Sequence, residues 1–90
     1  MLVGVPKEIK NHEYRVGLTP ESVAELVGQG HSVIVETNAG IGMGADDDQY
    51  LSAGAEISPT ADEVFHRADM IVKVKEPQVA ERKMLREGQI

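Results

Sequence analysis

The chain has 90 residues, 41% hydrophobic and 27% charged, and its fifteen acids against nine bases give a net charge of −6. A domain of this size buries somewhat over ~60% of the surface its unfolded chain exposes, so one small core is available and a second is not. The acidity argues against a nucleic-acid backbone or an anionic membrane surface as partner, and the absence of cysteine excludes disulfides, thiolate chemistry and cysteine-ligated metals.

The opening apolar run is too short for a signal peptide, and no run of ~18 apolar residues follows. A cytoplasmic location with no membrane partner is therefore expected. One Phe, two Tyr and no Trp leave no aromatic platform for stacking bases.

In chain order, "MLVGV" is a short apolar run stopped by Pro6 and predicts a buried strand. "KEIKNHEYRVGL" is polar and loop-like. Thr19-Pro20-Glu21 has the signature of a helix start: a hydroxyl cap, proline in the first turn and an acid near the positive end of the dipole. Val23, Leu26 and Val27 follow at helical spacing, and Gly28 and Gly30 end the helix. "HSVIVET" predicts a second strand whose unbroken apolar run suits burial on both faces.

"NAGIGMGA" predicts a glycine-rich turn, and "DDDQYLSAGA" a short helix capped by Asp46 or Asp47 and stopped by Gly54. "AEI" predicts a short third strand. "PTADEVFHRAD" predicts a helix opened by Thr60, with Glu63 three residues on in a capping-box pattern. "MIVKVK" predicts the fourth strand and "PQVAERKMLREG" a fourth helix. Strand and helix alternate four times, which predicts an α/β fold with a parallel sheet and crossover helices. The chain stops where a fifth strand is due, so the domain is expected to be incomplete.

In an open parallel sheet, ligands sit outside the carboxyl ends of the strands. There the sequence puts Lys7, Glu8 and the loop holding Arg15, then the glycine turn, then Lys73 and Lys75. The two lysines, two apart on a strand, share a face. If the first and fourth strands are neighbours, Arg15 and Lys75 come within reach of one site. A guanidinium grips a carboxylate with two parallel hydrogen bonds. An ammonium beside it polarises a carbonyl oxygen or shares the carboxylate, so the pair suits a small 2-oxo acid or amino acid. The plainer alternatives stay open: Arg15 as a surface ion-pair partner, and Lys73 with Lys75 as charges blunting an exposed sheet edge.

"GIGMGA", Gly40 to Ala45, fits G-x-G-x-x-A between a strand and a helix. Three carboxylates, Asp46 to Asp48, crowd the helix start where a pyrophosphate would need positive potential, so the dinucleotide reading is rejected. His31 is expected in solvent and His66 in a last helical turn. His12, nearest the proposed site, is considered as a proton carrier and given little weight. No spacing of histidines or acids suggests a metal site.

"VGVPKEIKNHEYRVGLTPESV", "AGAEI" and "MIVKVKEP" together resemble the N-terminal segment of the alanine dehydrogenase family, over essentially the whole chain. "GVPKE" and the residues around "RV" and "TP" are shared with the alpha subunit of nicotinamide nucleotide transhydrogenase. "KVKEP" discriminates, because the transhydrogenase segment lacks a lysine at position 75. The resemblance implies that residues 1–90 are the N-terminal part of a Rossmann-like (flavodoxin-like) substrate domain, in an enzyme about four times longer. That enzyme interconverts L-alanine and pyruvate plus ammonia with NAD, which is held by a domain absent from this sequence. Homo-oligomers, with hexamers expected, are implied too.

By the same resemblance, Arg15 matches the residue that holds the substrate carboxylate and Lys75 the lysine that contacts the carboxylate or keto oxygen. The family's catalytic histidine, catalytic aspartate and NAD-binding glycine motif lie beyond Ile90. No catalytic residue is therefore expected in this chain, which by itself should be inactive. The alternatives are a transhydrogenase-like segment and a non-catalytic piece acting in subunit association.

Overall fold

The computed structural model describes residues 1–8, 16–74 and 89. Four strands, β1 (Leu2–Val5), β2 (Ser32–Glu36), β3 (Glu56–Ser58) and β4 (Met70–Ile71), alternate with the helices α1 (Pro20–Gly28), α2 (Asp47–Ser52) and α3 (Ala61–Arg67). The strands are all parallel and lie in the order β3-β2-β1-β4, so the α/β class with crossover helices is as expected. The chain steps outward from β1 to β2 to β3. It then crosses back over α3 to set β4 on the other side of β1. This is the 3-2-1-4 opening of a doubly wound Rossmann sheet rather than the flavodoxin order, and its switch point lies between β1 and β4.

Strand alternation sorts the side chains onto two faces. Val3, Val5, Val33 and Val35 pack with Val16, Val23, Ala39, Tyr50 and Ala55, the layer covered by α1 and α2. Ile34 faces the other way, towards α3, whose Val64 and Phe65 are fully buried. Gly4 lets α3 approach: a Cβ there would stand 2.6 Å from the Cβ of Ala68. β2 is thus covered on both faces, as its unbroken apolar run predicts.

The helix starts follow from local chemistry. Thr19 Oγ1 accepts the Ser22 N–H, with Pro20 in the first turn. Thr60 Oγ1 accepts the Glu63 N–H at 3.2 Å. The Glu63 carboxylate accepts instead from Ser58 Oγ and pairs with Arg67 at 3.1 Å. The reciprocal box forms at α2, where Asp46 accepts the Gln49 N–H and Gln49 Oε1 accepts the Asp46 N–H. The carboxamide of Gln89 donates to the carbonyls of Phe65 and Ala68, closing the last turn of α3.

β4 is shorter than the six-residue strand expected from "MIVKVK". The cause lies in its neighbour. The Val72 N–H donates to the Gly4 carbonyl at 2.9 Å. In this parallel register the next ladder bond would come from the N–H of residue 6, and Pro6 has none. Strand alternation therefore does not govern Lys73. The expected helix over 77–88 lies outside the described residues.

Candidate functional site

The carboxyl ends of β1 and β4 meet at the switch point, and side chains hold them together where the backbone ladder stops. Two residues past Pro6, Glu8 turns its carboxylate onto the chain leaving β4. One oxygen sits 3.0 Å from Lys73 Nζ and the other accepts the Val74 N–H at 3.0 Å. The side chains of Glu8 and Lys73 are 2% and 5% exposed. On the other flank of β1, the Lys7 N–H donates to Glu36 Oε1 at 2.8 Å. The end of β1 is thus tied to both neighbours by glutamates.

The segment that enters α1 is fixed just as firmly. Val16 sits in the core. Gly17 lies so close to β4 that a Cβ would stand 2.5 Å from the Val72 carbonyl oxygen. The Leu18 carbonyl accepts the Tyr50 hydroxyl at 2.8 Å, and Thr19 caps α1. Burial pushes the Tyr50 hydroxyl above its ordinary pKa, and the nearby Glu21 and Asp47 carboxylates add to the shift.

Arg15 and Lys75 themselves lie outside the described residues, as does His12. Their chain neighbours, Val16-Gly17 and Lys73-Val74, converge at the β1–β4 end. Glu8 stands among the residues that the sequence marks after the first strand, but its partner is not legible there. The two charges are 65 positions apart, and only the adjacency of β1 and β4 joins them. The one available signal is a lysine inside an apolar run, since a buried lysine requires a partner. His66 occupies the last turn of α3, as expected.

The glycine turn has no room for a dinucleotide. Residues Ile41–Met43 form a single 3₁₀ turn. At Gly40 an added Cβ would meet the Tyr50 hydroxyl at 2.7 Å and the Ala45 carbonyl at 2.8 Å. The carboxylate of Asp47 turns back onto the Thr37 hydroxyl at 2.6 Å and the Asn38 N–H at 2.9 Å. A pyrophosphate would meet anions and filled space here, so the residues do not fit a nicotinamide dinucleotide. A cavity of about 210 Å³ opens between this turn and the start of α1. Among the described residues that line it, Glu21 is the one that carries a charge. Among the described residues no group of three acidic or histidine side chains could hold a metal ion, and no helix is long and apolar enough to cross a membrane.

The family model for the alanine dehydrogenase/PNT N-terminal domain matches residues 4–90. The alanine dehydrogenase of Methanococcus maripaludis is 54% identical over 90 residues, covering all of this chain and 24% of that protein. That of Bacillus subtilis is 51% identical over 88 residues, covering 98% of this chain and 23% of the relative. Among solved structures, an L-alanine dehydrogenase superposes with a TM-score of 0.95 at 53% identity, over 99% of this chain and 24% of that one. A transhydrogenase from Sinorhizobium meliloti follows at 0.92 and 37%, over 99% of this chain and 26% of that one. The chain spans about a quarter of the length of these relatives.

Proposed function

The chain belongs to the alanine dehydrogenase/PNT N-terminal domain family, and from that premise we propose that it is the substrate-gripping segment of an NAD-dependent L-alanine dehydrogenase. The reaction is L-alanine, NAD and water to pyruvate, ammonia and NADH. The observation that carries this reading is the junction of the β1 and β4 ends. Gly17 lies against Val72, and Glu8 holds Lys73 and Val74. Arg15 is two residues before the first tie and Lys75 is the residue after Val74.

Arg15 takes the substrate carboxylate with its two-pronged guanidinium. Lys75 directs its ammonium at the same carboxylate or at the keto oxygen. Holding the substrate at two points aligns its α-carbon for hydride transfer, a positioning role rather than a chemical one. NAD belongs to sequence outside this segment, since the glycine turn here does not fit it. So do the histidine and aspartate that the family resemblance assigns to proton transfer. The intact enzyme is a cytoplasmic homo-oligomer, a hexamer, whose partners are alanine and pyruvate rather than nucleic acid or membrane.

The transhydrogenase reading is weaker, with 37% identity against 53% for the alanine dehydrogenase. Alanine-dependent reduction of NAD by the intact enzyme tests the proposal. Turnover with alanine and pyruvate is expected, and the ninety residues alone should show none. An intact enzyme that fails to reduce NAD with alanine would sink the assignment.

A further inference from the structure

We infer that Glu8 and Lys73 are a positioning pair that sets the course of the chain into Lys75. This rests on the reading of Arg15 and Lys75 as the substrate grip. Three observations carry it. The last β1–β4 ladder bond is Val72 N–H to the Gly4 carbonyl, Pro6 has no N–H to return to Val72, and the Val74 N–H goes to Glu8 rather than to β1 backbone. The Glu8 carboxylate replaces that ladder, with one oxygen on Lys73 Nζ and the other on the Val74 N–H, each at 3.0 Å. Both side chains are withdrawn from solvent, at 2% and 5% exposure.

A buried ion pair of this kind adds little net stability over an apolar pair of the same volume. What it adds is geometry. The two bonds from one rigid carboxylate fix both the side chain of residue 73 and the backbone of residue 74. Lys75 is the next residue. The ammonium of Lys73 is matched by Glu8 within the fold.

The experiment is steady-state kinetics of the intact enzyme carrying Glu8→Gln, with Arg15→Ala measured in parallel. Glutamine keeps the shape but cannot satisfy Lys73 and the Val74 N–H together. Glu8→Gln is expected to raise the KM for alanine and pyruvate by about tenfold or more, with the KM for NAD and NADH unchanged within about twofold. A purely structural pair would lower the Tm and leave both Michaelis constants of the folded enzyme alone. That result would overturn the inference. Lys73→Met covers the case in which Glu8→Gln fails to fold, since Glu8 can still hold the Val74 N–H. It removes one of the two contacts that fix the Glu8 carboxylate, so it should raise the alanine KM by about threefold or more, and a wild-type value would overturn the inference equally. Arg15→Ala separates the two layers. If it too has wild-type constants, the substrate grip itself is wrong; if only the Glu8 and Lys73 variants do, the grip stands and the positioning pair falls.

Discussion

Gly17 and Val72 touch backbone to backbone: a Cβ on Gly17 would stand 2.5 Å from the Val72 carbonyl oxygen and 2.9 Å from its carbon. Neither atom is the far end of a flexible side chain, so nothing yields easily. Gly17→Ala should separate the entry to α1 from the end of β4. Overpacking of this kind costs about 1–3 kcal/mol. The expected outcome is a lower Tm together with a raised KM for pyruvate in the intact enzyme. An alanine variant with wild-type Tm and KM would show that the close approach is not needed.

Tyr50 fixes the same segment from the other side through the Leu18 carbonyl. Removing the hydroxyl in Tyr50→Phe should cost about 1 kcal/mol at neutral pH, seen as a lowered midpoint in denaturant. Its pH signature is distinct. The folded-state pKa is raised above the ordinary 10.0. The contribution to stability is therefore complete below pH 10.0 and is lost as pH rises through the folded value. Unfolding followed from pH 9 upwards should show a steeper alkaline decline in the wild type than in Tyr50→Phe.

The acid side is governed in part by Glu56 and Arg67. A hydrogen bond from Arg67 holds the Glu56 carboxyl below its ordinary value. Stability from the pair is then present above the ordinary carboxylate range and lost as pH falls through the depressed folded value. Both side chains are more than a third exposed, so solvent screens the pair and the effect is small. Arg67→Ala should flatten the acid limb slightly, with a small loss of stability at pH 9 and none below the depressed Glu56 value. A large loss at pH 9 would mean that Arg67 does more than pair with Glu56.

At α2, Asp46→Ala removes the reciprocal cap with Gln49. A loss of about 1 kcal/mol is expected, measured by thermal unfolding. The same change at Thr60 should cost no more, because Glu63 does not return its side chain to that cap.

These contrasts mark where the sequence is legible. The strand-helix alternation, the Thr19-Pro20-Glu21 start and the burial of β2 follow from local pattern alone, and all three appear in the fold. The Thr60 box reads equally well in sequence, yet Arg67 and Ser58 take the Glu63 carboxylate. The box that does form, Asp46 with Gln49, is hidden among three consecutive aspartates. The length of β4 depends on Pro6, some sixty-five residues earlier, and cannot be read from "MIVKVK" itself. The Glu8–Lys73 pair is illegible for the same reason: strand order, not spacing, brings the charges together. The meeting of the β1 and β4 ends, conditional in the sequence, is a feature of the fold.

The most direct test of the central claim is the KM for pyruvate of the intact enzyme carrying Arg15→Ala. Loss of a charge-assisted grip on the substrate carboxylate, worth about 1.5–3 kcal/mol, should raise that KM by roughly ten- to a hundredfold. The KM for NADH should stay where it is. A pyruvate KM equal to the wild type would contradict the account, leaving Arg15 as a surface charge and the β1–β4 junction without a substrate.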